Sequence, residues 1–141
     1  MPLLNEPSSF IAETTGRKFT LRRPTRGRVA DFAQALAMSG VRDVRDVPVD
    51  DLTPLERTDG RGLLMEALIQ AWIEDAPEDW RNKTAETRFA QVAQPRVVIT
   101  FANVLEEEFI EVGEEVIRLD ETFRKVRLAY GFQPRGVTAG A

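Results

Sequence analysis

The apolar positions change period along the chain, and each change marks an element. In "KFTLRRPT", residues 18–25, Phe19 and Leu21 alternate with Thr20 and Arg22, the period of a strand with one buried face. "SFIAET" and "KFTLRR" flank "TGR", which predicts a β-hairpin around Gly16. Residues 1–8 before it read as an extended arm, with Pro2 and Pro7 blocking regular structure. Pro24 ends the second strand because it cannot donate to a ladder. Thr25 is placed to cap a helix over 26–39. Val29, Phe32, Ala33 and Leu36 form the buried side of that helix, and Gly40 follows as its terminating residue.

A polar connector, "VRDVRDVPVDDLTPLERTDGRG", comes next, with Thr53 capping one short turn through "PLER". A second long helix is expected over "GLLMEALIQAWIED", with Leu64, Leu68, Ile69 and Trp72 on its apolar side. Pro77 stops it, and Trp80 in "PEDWRN" is expected to fold back onto the core. From Thr84 the pattern is helical almost to Phe132, interrupted at Pro95, which predicts a short helix at 84–93 and a long one from about 96 to 130. In the long helix Val98, Ala102, Leu105, Phe109, Val112, Val116, Leu119, Phe123, Val126 and Tyr130 recur with steps of four and three, a heptad seam. Gly113 lies inside it and costs about 1 kcal/mol relative to alanine in a helix interior.

The fold expected is mainly α, of the α+β kind: a small N-terminal β-hairpin, two middle helices and a long C-terminal heptad-patterned helix. It forms a single domain over 1–141, divided into an arm and hairpin (1–25), a helical middle (26–82), C-terminal helices (84–132) and a flexible tail (133–141). A chain of 141 residues with 43% hydrophobic and 30% charged residues is sufficient for one core.

Net charge, −4, conceals segregation. Residues 17–28, "RKFTLRRPTRGR", hold six basic residues and no acidic one, whereas residues 106–121 hold eight acidic residues against Arg118 alone. The same helix turns basic at Arg124, Lys125 and Arg127. Acid early and base late in a helix agrees with the macrodipole, but the dipole acts only within the first and last turns. Two further readings follow. Either the basic hairpin packs on the acidic stretch within one chain, or two copies of the long helix pair antiparallel. In the second, Leu105, Phe109, Val112, Val116, Leu119, Phe123, Val126 and Tyr130 form an oligomer seam. Val97, Phe101, Val104, Ile110 and Ile117 add apolar surface on another side and favour a partner. The expected partner-binding residues are Arg22, Arg23, Arg26 and Arg28 on a basic rim, and Glu106, Glu107, Glu111, Glu114 and Glu115 on the acidic helix.

Candidate chemistry is sparse. Neither cysteine nor histidine occurs, which removes disulfides, thiolate nucleophiles, the usual neutral-pH base and the commonest zinc ligand. The serines lack a histidine to activate them, and no glycine-rich phosphate loop is present. The carboxylate pairs Asp50/Asp51, Glu74/Asp75 and Glu78/Asp79 lack the spacing of a calcium loop and read as solvated charges. No enzyme, cofactor or metal is therefore expected. Nucleic acid is disfavoured as a partner, because Phe19 and Leu21 serve the core and the acidic helix repels phosphate. The N-terminus lacks a signal-peptide pattern and no window is apolar enough to span a membrane, so a cytoplasmic location is expected. "NKT" at 82–84 is read as a chance sequon.

"KFTLRRPTRGRVADFAQAL" resembles the opening of the tail assembly chaperones of long-tailed bacteriophages, through Thr20, Leu21, Arg22, Arg23, Pro24 and Thr25. The order of "DDLTPLE" and the apolar "LLMEALIQAWIE" is similar as well, so the resemblance covers about residues 15–75. It implies a non-enzymatic protein of the host cytoplasm that oligomerises, binds the tape measure protein and recruits tail-tube subunits. A structural virion component, such as a head–tail connector or minor virion protein, is the alternative. A dimeric adaptor or regulatory protein comes third.

Overall fold

The computed structural model describes residues 7–92 and 96–131. The expected N-terminal arm up to Glu6, the break at Pro95 and the tail 133–141 lie outside the described residues. The fold is mainly α, with a small antiparallel sheet near the N-terminus and a long C-terminal helix.

The hairpin forms from β1 (Ser8–Ile11) and β2 (Lys18–Leu21), in a register that places Phe10 opposite Phe19 and Ser8 opposite Leu21. Gly16 takes φ 72° in the connecting loop, where it donates its N–H to the Ala12 carbonyl at 2.7 Å. Phe19 and Leu21 are buried. Helix α1 (Arg26–Ser39) begins at Thr25, whose hydroxyl accepts from the Arg28 N–H, and ends at Gly40 with φ 75°. Val29, Phe32 and Leu36 face inward as the spacing predicts.

The second helix is longer at its start and shorter at its end than expected. α2 spans Pro54–Trp72 without a break, so "TDGRG" is helix rather than connector. Its start is a capping box: Thr53 Oγ1 accepts from the Glu56 N–H at 3.2 Å, and the Glu56 carboxylate accepts from the Thr53 N–H at 2.9 Å. The glycine at 60 is used, because a Cβ there would lie 3.0 Å from Val44 of the connector packed against it. At its other end "IED" leaves the helix. Ile73–Asp75 form β3, pairing antiparallel with β2 to make a sheet of order β1-β2-β3. The Arg22 N–H donates to the Trp72 carbonyl at the junction. An unpaired edge of β2 thus outbids the last helical turn.

Helix α3 (Lys83–Val92) matches the short helix expected. The long helix, α4, covers Glu106–Ala129 and not 96–130. Residues 96–100 are extended: Asn82 donates to the Val98 carbonyl and Thr100 to the Trp80 carbonyl, both at 2.7 Å. The side-chain amide of Gln70 completes this attachment, donating to the Val97 carbonyl and accepting from the Ile99 N–H. Val97, Val98, Ile99 and Thr100 are four successive β-branched residues, whose χ1 restriction favours extended backbone. Val97 and Ile99 point into the core.

α2 lies between α1 and α4 and packs against both. Leu64, Leu68, Ile69, Ile73, Trp80, Val112 and Val116 are almost wholly buried around it. Trp80 folds back onto the core, its ring edge-on to Phe19 at 4.7 Å between centroids. Gly113 faces α2, where an added Cβ would sit 2.1 Å from Met65 Cε and 3.2 Å from Met65 Cβ. The glycine is what lets the two helices approach.

Candidate protein interface

The RRPT turn carries the chain from the sheet into α1, and every side chain in it has a position. Arg22 meets Glu74 of β3 at 3.3 Å. Arg23 lies over the ring of Phe123, 4.8 Å from its centroid, joining the turn to the end of α4. Arg28 reaches back across the sheet to donate to the Ile73 carbonyl at 2.8 Å, and burial pushes its guanidinium pKa down. Arg26 is exposed in the first turn of α1, a turn whose own sequence carries no acidic residue.

Between this turn and the last turns of α4 runs an open groove of about 550 Å³. Pro24, Val29, Phe123, Val126 and Tyr130 supply its apolar surface, and Arg22, Arg23, Arg26 and Arg127 line it with charge. Val126, 44% exposed, and the C-cap Tyr130, 80% exposed, leave a large apolar and an aromatic side chain open at the end of α4.

The heptad seam divides at this point. Phe109, Val112 and Val116 are buried in the chain's own core, with Leu119 and Phe123 packed at its border. Leu105, Val126 and Tyr130 remain exposed. A continuous antiparallel pairing of two α4 helices through the whole seam is therefore closed off, because its middle is already occupied by α2. Leu105 is moreover the N-cap of α4 and not an interior residue.

The acidic residues divide too. Glu111 accepts from the Glu13 N–H at 2.7 Å, Glu114 from Arg61 at 2.7 Å, and Glu115 pairs with Arg118 one turn along. Glu106 and Glu107 are exposed beside Ile110, itself 46% exposed, and have no polar partner among the described residues. The carboxylates that bind α4 most firmly are two that sequence reasoning did not single out. Glu108 is fully buried, accepting from Trp80 Nε1 at 3.0 Å, from Arg17 Nε at 2.8 Å and from the Thr15 hydroxyl. The Arg17 guanidinium holds its carboxyl well below the usual range, at about 2. Asp120 is equally buried, accepting from Trp72 Nε1 at 3.0 Å and from Arg45 at 3.1 Å. Glu108, Val112, Val116 and Asp120 form one i, i+4 row, and that row was the available signal: carboxylates at its ends share the face that buries the valines.

The hairpin thus meets the acidic part of α4 within one chain, through Arg17, the Thr15 hydroxyl and the Glu13 N–H, while Arg23 of the RRPT turn meets Phe123 further along the same helix. Two of the three carboxylate pairs are engaged in ion pairs: Glu74 meets Arg22, Asp75 meets Arg81, Glu78 meets Lys83 and Asp79 holds Arg17. Among the described residues no group of three or more acidic side chains is gathered as metal ligands, and no helix is long and apolar enough to cross a membrane. No family model, curated protein or solved structure matches the chain.

Proposed function

We propose that this protein is a non-enzymatic assembly factor of the tail assembly chaperone kind, acting through protein–protein contacts in the host cytoplasm. The observation that carries the reading is the groove: the segment with the phage-like pattern, Thr20 to Thr25, is the one whose arginines and proline line an apolar surface that is exposed among the described residues. The two arginines of the turn, with Arg26 of α1 and Arg127 of α4, put four basic side chains beside an exposed tyrosine and valine. In this role the protein oligomerises and binds tape measure or tail-tube subunits, presenting apolar surface to chains not yet assembled.

The test is mass spectrometry of purified virions beside the lysate from which they came. Abundance in the lysate with absence from the particle supports the chaperone reading. Stoichiometric presence in the particle overturns it in favour of a structural virion component.

A further inference from the structure

The groove has a counterpart on the same molecule. At the start of α4, Glu106, Glu107 and Ile110 form a small acidic surface with an exposed aliphatic side chain at its centre. At the far end of α4, the groove offers aliphatic and aromatic surface within a positive rim. Each is what the other lacks. We infer that the acidic start of α4 in one copy docks into the RRPT groove of a second copy, joining molecules head to tail.

Geometry decides between this arrangement and a symmetric one. Ile110 and Val126 are 16 residues apart, which on an α-helix is a rise of about 24 Å and a rotation of about 160°. The two surfaces therefore lie on nearly opposite sides of the helix. Two copies laid antiparallel along one face cannot bring both pairs together. The contact is heterologous, so it continues into a ring or a helical filament and does not stop at a dimer. The attraction needs only the net positive field of the rim, since Arg22 already meets Glu74 and Arg23 already lies on Phe123. Nucleic acid is the poorer occupant: Arg23 covers a face of Phe123, so of the two aromatic rings lining the groove Tyr130 alone is open for stacking, and Val126 and Val29 are aliphatic. This inference rests on the oligomerising part of the proposed function and is independent of tape measure binding.

Sedimentation velocity of the full chain between about 1 and 100 µM is the test, with circular dichroism to confirm that each variant folds. The wild type is expected to associate progressively. Glu106→Arg with Glu107→Arg, and separately Arg23→Glu with Arg26→Glu, are each expected to weaken association about tenfold or more. Mixing the two variants restores a complex, because a reversed patch then meets a reversed groove. Since the chain has no native cysteine, Ile110→Cys and Val126→Cys provide a second measurement: oxidation of the mixture should give the mixed disulfide. A monomer at every concentration, charge variants that associate like the wild type, or crosslinking confined to identical variants would each overturn the inference. So would a fluorescein-labelled dT20 whose binding is lost in the Arg23→Glu/Arg26→Glu variant while association is unchanged. None of these outcomes alters the virion measurement, so the two readings fail separately.

Discussion

Residues 106–120 and 121–129 belong to one unbroken helix, which Tyr130 caps, but its two parts are held in opposite ways. The first stretch is the more acidic and yet the better buried: Glu108 and Asp120 lie in the core, and Val112 and Val116 between them have no exposed surface. The second stretch is the more basic and carries more apolar side chains than it covers, with Val126, Leu128 and Tyr130 open to solvent. Composition alone would assign the first to water and the second to the core. What reverses the assignment is hydrogen-bond supply. Two tryptophan N–H groups and two arginines, from other segments, converge on the two carboxylates, and a buried charge so satisfied is tolerated where an unpaired one is not. Among the described residues, Val126, Leu128 and Tyr130 at the end of the helix keep their apolar atoms exposed.

The largest effect that would break this contrast is loss of a buried carboxylate. Glu108→Ala leaves Trp80 Nε1 without its acceptor and strips Arg17 of one of its two acidic partners. We expect a loss of about 2–3 kcal/mol, read from urea denaturation, the upper part of the range for a buried donor left unsatisfied. A loss under about 1 kcal/mol would place Glu108 among ordinary surface charges and dissolve the contrast.

Acid should produce a similar loss without a mutation. The folded-state pKa of Glu108 is depressed from 4.5 to about 2, so its contribution is present above the unfolded value and is lost as pH falls from about 4.5 towards 2. A shift of that size corresponds to about 3 kcal/mol at neutral pH. Glu56, held at about 2 chiefly by Arg42, titrates in the same window. Glu108→Gln should therefore flatten the pH dependence of stability below pH 4.5 without abolishing it. An unchanged slope would show that the carboxylate is not paired in the folded state.

The close approach of α2 and α4 is the next lever. Gly113→Ala should gain about 1 kcal/mol of helix propensity and lose about 1–3 kcal/mol to overpacking against Met65. The net expectation is destabilisation, relieved when Met65→Ala is added. The double-mutant cycle gives the coupling directly, and additivity between the two sites would mean that α4 has room to shift.

What the sequence made legible follows how local each cause is. The hairpin, the Thr25 cap, the Gly40 stop and the burial of Phe19, Leu21, Val29, Phe32 and Leu36 depend on neighbours within a few residues, and periodicity revealed them. The start of α2 was legible in principle, because Thr53-x-x-Glu56 is a capping box, but Gly60 and Gly62 masked the helix beyond it. Helix start at 106 was obscured by the seam itself, whose four–three steps continue backwards over a β-branched run that is extended in the fold. β3 and the Gln70 clamp required knowing which backbone edges the rest of the fold leaves open. The candidate site divides in the same way. The basic run was visible, whereas its meeting with Phe123 and Tyr130, about a hundred residues away, is a product of topology.

The smallest expected effect is also the sharpest check on the comparison. Val126→Ser and Tyr130→Ser remove apolar surface that the single chain leaves largely in water, and exposed substitutions of this kind shift stability by no more than about 0.5 kcal/mol. Thermal melts at low concentration should scarcely change, whereas Val116→Ser, in the same seam ten residues earlier and with no exposed surface, should cost several times more. If Val126→Ser destabilised the dilute monomer as much as Val116→Ser, the end of α4 would be part of the core and the groove would not exist as an open surface. If it is silent in dilute solution but lowers the melting temperature only at concentrations where the wild type associates, the exposed end of the seam is held in reserve for a second chain.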